Sequence, residues 1–215
     1  MVRENHPKRR QAKKLARRKP TRPSYDRILI ICEGEKTEPN YFNEIRVKYR
    51  IHTAHVGIYK SEYGTNPKQI VEYAKDKFHD TREWDSVYCI FDRDDHEYFN
   101  EAIDLCKSFD RRFRNDEKQA VRFFPVPSIP CFELWLLLHF ECITREIHRS
   151  DVYRQLRTKL PGYEKGKVGS FSKTSSRLDT ARINAQRLRD ERQRHGRENP
   201  YTDVDKLVSI LVHLK

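Results

Sequence analysis

Residues 28–34 read Ile28-Leu29-Ile30-Ile31-Cys32-Glu33-Gly34, five apolar residues followed by a glutamate and a glycine. A second run has the same character, since Val87-Tyr88-Cys89-Ile90-Phe91 is followed by Asp92-Arg93-Asp94. Short, continuous apolar runs of this kind are typical of strands buried in a parallel sheet. In an open α/β sheet, ligands bind beyond the carboxyl ends of the strands. Both acidic motifs are therefore predicted to lie at the ligand-binding edge of one sheet.

The acidic residues at these two strand ends predict a metal site. If the two strands lie side by side, Glu33, Asp92 and Asp94 come together, and clustered carboxylates repel one another unless a cation neutralises them. Asp92 and Asp94 are two residues apart, which places both side chains on the same side of an extended chain. Carboxylates in this arrangement suit a hard cation, Mg²⁺ or Mn²⁺.

Strand-like and helix-like patterns alternate along the first two thirds of the chain. Strands are predicted at about 27–32, 54–59, 86–91 and 121–126, and helices at about 38–49, 66–77 and 98–109. This alternation predicts an α/β fold, a parallel sheet with helices on both of its faces.

The last third of the chain is predicted to be mostly helical. A helix that is apolar nearly all round spans residues 131–140, and further helices are predicted at about 176–193, with Ile183 on the buried face, and at about 203–214. A loop rich in Gly, Lys and Ser at 161–176 is expected to be mobile. The predicted organisation is a basic arm (1–23), an α/β core (24–140) and a helical, basic C-terminal extension (141–215).

The net charge of +12 is unevenly distributed. Residues 1–23 hold ten Lys or Arg and one Glu, residues 24–140 have a net charge of −4, and residues 141–215 have a net charge of +7. Basic ends of this kind suit a polyanion such as nucleic acid. A solvated tail that aids solubility is the alternative for the arm. The residues predicted to contact nucleic acid there are Arg9, Arg10, Lys13, Lys14, Arg17 and Arg18.

Several classes of protein are disfavoured by composition. No apolar stretch approaches the ~18 residues that a membrane span needs, and the polar N-terminus lacks the apolar segment of a secretory signal. Five cysteines without a Cys-x-x-Cys pair argue against a disulfide framework and against a zinc site. We expect reduced thiols and a cytoplasmic protein without a membrane partner.

Three further charged residues have two interpretations each. Glu133 is a single carboxylate in an apolar segment, so it either pairs with an arginine or faces the metal site, because burying an unpaired charge is costly. Glu38 either stabilises the first turn of a helix or contributes to the metal site. Lys36 either contacts a phosphate or pairs with a carboxylate.

Four motifs in this chain resemble those of the RloB-like proteins. They are Cys32-Glu33-Gly34-Glu35-Lys36-Thr37-Glu38-Pro39-Asn40-Tyr41-Phe42, Phe91-Asp92-Arg93-Asp94, Ser128-Ile129-Pro130-Cys131-Phe132-Glu133-Leu134-Trp135-Leu136 and Asn199-Pro200-Tyr201-Thr202. RloB-like proteins are similar to toprim domains, the Mg²⁺-dependent fold of topoisomerases, primases and a class of nucleases. The resemblance therefore implies a toprim-like sheet flanked by helices.

The same resemblance implies roles for individual residues. Glu33 would be the acid/base residue, Asp92 and Asp94 would be metal ligands, and Glu38 and Glu133 match the further acidic positions of the nuclease relatives. RloB-like proteins are found beside restriction and abortive-infection genes, often with an ABC-type ATPase. This context implies a role in prokaryotic phage defence, and related effectors that cut tRNA make RNA a plausible target.

Two functions follow as expectations. The first is a Mg²⁺- or Mn²⁺-dependent nuclease acting on RNA, with tRNA as one candidate, or on DNA. Its catalytic residues would be Glu33, Asp92, Asp94 and Glu133, with Glu38 as a further ligand and Lys36 on the nucleic acid. The second is a non-catalytic nucleic-acid-binding subunit of a defence complex with an ABC-type ATPase. The sequence does not indicate an oligomeric state.

Overall fold

The computed structural model describes residues 26–93 and 96–214. The predicted basic arm and Asp94 lie outside these residues. The strands are β1 (Ile28–Cys32), β2 (Val56–Lys60), β3 (Ser86–Asp92), β4 (Arg122–Ile129) and β5 (Tyr201–Thr202). The helices are α1 (Thr37–Lys48), α2 (Pro67–Thr81), α3 (Phe99–Phe109), α4 (Glu133–Leu137), α5 (Arg149–Lys159), α6 (Ser170–Thr174), α7 (Leu178–His195) and α8 (Val204–His213), with a short 3₁₀ helix at Ser175–Arg177.

The five strands form one mostly parallel sheet in the order β2-β1-β3-β4-β5. Strands β1 to β4 run parallel, and β5 pairs antiparallel with the end of β4. The two apolar runs of the sequence are the central neighbours β1 and β3, with Cys32 opposite Ile90. The predicted α/β class and parallel sheet are confirmed. Strand β5 was not predicted, because two residues are too few to show a period of two.

Successive residues of β1 point to opposite faces of the sheet, and each face has its own hydrophobic cluster. Ile28 and Ile30 belong to a cluster with residues of α1, α4, α5, α7 and α8, while Leu29 and Ile31 belong to one with residues of α2 and α3. Burial of the strand on both sides explains why its sequence is continuously apolar rather than alternating. The predicted helices on both faces are therefore confirmed.

The cluster on the α1 face is built from both sides of residue 140. Val152, Leu156 and Leu188 from the C-terminal helices pack in the same cluster as Tyr41 and Trp135. The helical character predicted for the C-terminal region is confirmed. The division of the chain at residue 140 stays a prediction about domain organisation.

Three local predictions differ from the structure. The buried helix predicted at 131–140 is regular only over Glu133–Leu137. Ile183, predicted on the buried face of its helix, is exposed, because α7 buries only a narrow stripe that includes Ala181, Ala185 and Leu188. The predicted mobile loop at 161–176 contains α6 and is bonded to α1, as described below.

Within residues 26–93 and 96–214, which the structure describes, no helix is both long and apolar enough to cross a membrane. All five cysteines fall in this part of the chain and are free thiols, four of them buried and Cys142 half-buried.

The buried side chain of His139 makes the stability of the fold depend on pH. The ring is buried, its Nδ1 donates to the backbone oxygen of Trp135 at 3.0 Å, and its Nε2 has no hydrogen-bond partner within the described residues. Burial lowers the pKa of His139 from 6.5 to about 4. The folded protein therefore keeps this ring neutral at a pH where the unfolded chain protonates it.

Acid is expected to destabilise the protein through His139. Between pH 7 and pH 5 the unfolded state gains a proton at this site and the folded state does not, so the free energy of unfolding falls by about 2 kcal/mol. Urea unfolding of the wild type and of His139→Gln across this range checks the expectation. The variant should lose less stability on acidification than the wild type, and parallel curves would show that another group dominates.

Candidate functional site

Glu33 and Asp92 are brought together at the carboxyl ends of the two central strands. Glu33 directly follows β1, and Asp92 is the last residue of β3. The backbone N–H of Glu33 donates to the oxygen of Ile90 at 3.0 Å, which extends the pairing of the strands by one residue. The Oε2 atom of Glu33 then accepts a hydrogen bond of 2.8 Å from the backbone N–H of Asp92. The sheet register thus fixes the position of the Glu33 carboxylate relative to Asp92.

The surroundings of this pair are partly closed to solvent. Asp92 is buried, Glu33 is half-buried, and the Nε2 atom of His96 lies 3.9 Å from Glu33 Oε1. Asp94 lies outside the described residues. Within the residues that the structure does describe, no three His, Cys, Asp or Glu side chains lie close enough to hold one metal ion. The roles predicted for Glu33, Asp92 and Asp94 stay predictions.

A second pair of carboxylates is buried beside the first motif. Glu38 lies in the first turn of α1 and Glu133 begins α4, and both are almost completely buried. Burial, assisted by the negative charge of Glu133, raises the pKa of Glu38 above its ordinary value. The two interpretations of Glu38 are compatible, since it lies in the first turn of the helix and also close enough to Glu133 for their charges to interact.

Glu133 interacts with a tyrosine and a lysine, and its two interpretations, pairing with an arginine or facing a metal site, stay predictions. The hydroxyl of Tyr163 donates to Glu133 Oε1 at 3.0 Å. Partial burial disfavours the charged form of Lys165, but the negative charge of Glu133 and a hydrogen bond of 3.2 Å to the Tyr153 hydroxyl outweigh it, so the pKa of Lys165 is raised. Burial and the charge of Glu133 also raise the pKa of Tyr163.

The loop that carries Tyr163 and Lys165 is bonded to α1. The backbone N–H of Gly166 donates to Thr37 Oγ1 at 3.0 Å, and Asn40 Nδ2 donates to the Gly166 oxygen at 2.9 Å. Further along, the N–H of Gly169 donates to Glu44 Oε1 at 2.6 Å. Because α1 begins just after the Glu33-Gly34 turn, these bonds hold Lys165 near Glu38 and Glu133, with whose charges it interacts. We refer to Glu33, Glu38, Asp92 and Glu133 as the acidic cluster.

One oxygen of the Glu38 carboxylate, Oε2, is buried and receives no hydrogen bond from any described residue. An ionised oxygen in that position is costly unless a proton or a cation compensates it. Carboxylate oxygens are the ligands that Mg²⁺ prefers in proteins. The chemistry of Glu38 and the neighbouring Glu133 is compatible with a divalent cation, and the metal role predicted for Glu38 stays a prediction.

The turn between β1 and α1 requires a residue without a side chain. A Cβ atom built on Gly34 collides with the Glu38 carboxylate. The glycine that follows Glu33 therefore allows Glu38 to fold back against the turn. Glycine is needed at position 34 because a side chain would prevent this close approach. The φ angle of Gly34 is not the reason.

Replacing Gly34 with alanine is expected to lower the free energy of unfolding by about 1–3 kcal/mol, the usual cost of overpacking. The cause would be the collision with Glu38, so Glu38→Ala in the same chain should recover most of the loss. Urea unfolding of Gly34→Ala, Glu38→Ala and the double variant measures this coupling. Additive losses in the double variant would show that the two residues do not interact.

Glu35 and Lys36, which follow the Glu33-Gly34 turn, are exposed to solvent. Glu35 is exposed and pairs with Lys60 at 2.9 Å, and that hydrogen bond lowers the pKa of Glu35. Lys36 is exposed at the N-cap position of α1, where its aliphatic stem lies along Gly166. The contact with phosphate predicted for Lys36 stays a prediction.

Sequence analysis missed Tyr153, Tyr163 and Lys165. The last two lie in the segment predicted as a mobile loop, and neither belongs to a hydrophobic period. The only available signal was Glu133 itself, because a buried carboxylate requires a partner and basic residues are abundant in the C-terminal region.

Comparison with known proteins supplies the family. The model of the RloB-like protein family matches residues 28–211, which include every described residue of the acidic cluster. The chain belongs to the RloB-like family. Neither the curated proteins nor the solved structures give a match. In this RloB-like protein, the family match spans both the strand ends that carry Glu33 and Asp92 and the C-terminal loop that carries Lys165.

Proposed function

We propose that this RloB-like protein is a metal-dependent nuclease that cuts RNA or DNA. The observation that carries the proposal is the hydrogen bond between Glu33 and the backbone of Asp92, at the carboxyl ends of adjacent parallel strands. This is the edge at which open α/β sheets bind ligands. The acidity of this edge favours a cation and a phosphate-bearing substrate over a directly bound anion.

The residues that would hold Mg²⁺ or Mn²⁺ are Glu33, Asp92 and Asp94, with Glu38 and Glu133 beside them. A cation bound there would polarise the phosphodiester and lower the pKa of a bound water. The buried Oε2 of Glu38 supports this assignment, since no hydrogen bond from a described residue reaches it. Lys165 would limit the charge of the cluster by neutralising Glu133.

Glu33 is proposed to move the proton. Its carboxylate is half-buried, oriented by the N–H of Asp92, and lies within reach of His96 for a water-mediated exchange. A carboxylate that is fixed by its surroundings and open to solvent on one side suits general acid/base catalysis.

The nucleic acid is proposed to contact the basic arm (residues 1–23) and Lys36. Phosphate contacts supply most of the sequence-independent affinity for nucleic acids. By resemblance to other RloB-like and toprim proteins, we further propose that the enzyme acts in the cytoplasm as an effector of prokaryotic phage defence, on RNA such as tRNA or on DNA. Control by an ABC-type ATPase partner is part of the same proposal.

A non-catalytic nucleic-acid-binding subunit is the second candidate. The observation that favours it is the charge of residues 1–23, ten Lys or Arg against one Glu, because contacts with phosphate need no metal. Such a protein would bind nucleic acid equally well in EDTA, with an affinity that falls steeply with salt.

The nuclease proposal is tested with purified protein, total tRNA and plasmid DNA. We expect strand cleavage with Mg²⁺ or Mn²⁺ and none in EDTA. Whether tRNA or plasmid DNA is cut identifies the substrate class. Binding without cleavage under all conditions, with the ATPase partner present as well as absent, would favour the binding subunit.

A further inference from the structure

A cavity of about 450 Å³ opens beyond the end of β4, next to the acidic site. Ile129 and Pro130 line it, and they directly follow Ser128, whose Cα is paired with that of Asp92. Arg93, the residue after Asp92, forms another part of the lining. The cavity therefore begins one residue beyond the strand pair that carries the proposed metal ligand.

Two guanidinium groups line this cavity. Arg149 is half-buried at the start of α5, where its guanidinium lies 5.9 Å from the centre of the Tyr153 ring and donates to the hydroxyl at 3.4 Å. These contacts limit the conformations that Arg149 has to lose when it binds a ligand. Arg93 pairs with Glu198 at 2.8 Å on the outer side. Guanidinium groups bind phosphate oxygens with two parallel hydrogen bonds.

Three apolar residues form one part of the lining, which also contains Glu146, His148 and Asn199. Ile147 joins Ile129 and Pro130 in the lining, and the Asn199 side chain fixes its backbone. Asn199 Nδ2 donates to the Ile147 oxygen at 2.9 Å, and Asn199 Oδ1 accepts from the Ile147 N–H at 3.5 Å. The cavity therefore combines an apolar surface with charged and polar groups, and its volume lies in the ordinary range of ligand sites.

We propose that this cavity binds one nucleotide of a single-stranded substrate, next to the phosphate that is cleaved. Arg149 and Arg93 would contact the phosphate, and the base would lie on the apolar surface formed by Ile129, Pro130 and Ile147. A base can enter such a cavity only if it is unpaired and unstacked. This inference rests on the proposed function, and it narrows the substrate class to single strands, loops or overhangs.

The exposed carboxylate of Glu146 allows the effect of charge on binding affinity to be tested with two substitutions of opposite expected effect. Glu146 also lines the cavity, and its negative charge opposes a bound phosphate. Removing Arg149 should weaken binding, whereas removing the charge of Glu146 should strengthen it. If the two residues only supported the fold, their substitutions would not change the binding affinity in opposite directions.

The experiment measures binding of a fluorescent single-stranded RNA oligonucleotide by anisotropy, in EDTA and at fixed salt. Arg149→Ala is expected to weaken binding about tenfold, the loss of one charge-assisted contact. Arg154→Ala is the matched control, because Arg154 lies on the same helix and is largely exposed, and it should change affinity little. Glu146→Gln is expected to tighten binding about threefold.

Thermal unfolding of each variant separates a loss of binding from a loss of fold. Equal effects of Arg149→Ala and Arg154→Ala, or equal affinity for duplex and single-stranded RNA, would overturn the inference. Because binding is measured without metal, failure of the nuclease proposal leaves this result interpretable. If cleavage depends on Asp92 while the cavity variants bind normally, only the cavity inference fails.

Discussion

Replacing Glu33 with glutamine is expected to lower the cleavage rate by roughly 10²–10⁴-fold, the usual contribution of a general acid or base. Glutamine has the same shape, and its Oε1 can still accept the hydrogen bond that Asp92 N–H donates to Glu33. The fold should therefore persist while the charge and the proton-transfer capacity are lost. Initial rates on the preferred substrate, measured beside thermal unfolding, test this expectation.

The matched control is Glu35→Gln. Glu35 lies in the same turn but is exposed and paired with Lys60, away from the acidic cluster. We expect near-normal rates from this variant. Comparable losses in Glu33→Gln and Glu35→Gln, or normal activity in Glu33→Gln, would contradict the assignment of Glu33.

Replacing Lys165 with methionine is expected to lower the free energy of unfolding through its effect on Glu133. The change removes a cation whose charge interacts with the buried Glu133 and leaves the Tyr163 hydroxyl as a hydrogen-bond donor to that carboxylate. Since the Lys165 side chain is exposed and solvent screens its charge, we expect a loss of about 2 kcal/mol, less than for a fully buried ion pair. Urea unfolding in EDTA, where no cation can substitute for the lysine, measures it.

Two further variants isolate the cause of that loss. Lys167→Met removes an exposed lysine of the same loop, which pairs with Glu164 at the surface, and should cost little. Glu133→Gln added to Lys165→Met removes the uncompensated charge and should recover most of the stability. A loss in Lys165→Met that Glu133→Gln leaves unchanged would show that Lys165 acts through packing alone.

The central part of the fold was predictable because its physical signal is local. The runs 28–32 and 87–91 are continuously apolar since β1 and β3 are buried on both faces, and their parallel pairing places Glu33 beside Asp92. The sequence therefore predicted the positions of these two residues relative to each other. Its prediction of metal binding is a chemical inference from charge, which the fold alone does not test.

The rest of the site depends on contacts between distant segments. The charges of Lys165 and Glu133 interact because the Gly166 backbone is bonded to Thr37 and Asn40, more than 120 residues away along the chain. No periodicity encodes such bonds. The burial of Glu133 could be predicted from its apolar neighbours, but the identity of its partner could not. Ile183 was wrongly predicted to be buried, because the helical period was extended to a residue that faces solvent.

The central claim is that the carboxylates at the ends of β1 and β3 bind a divalent cation. Mn²⁺ binding, measured by electron paramagnetic resonance, tests it most directly, since it requires neither a substrate nor a partner protein. We predict that the wild type and Glu35→Gln bind Mn²⁺ with similar affinity and that Mg²⁺ competes for the site. Asp92→Asn should lose the site while remaining folded. Equal Mn²⁺ binding by the wild type and Asp92→Asn, or none by the wild type at millimolar Mn²⁺, would contradict the account.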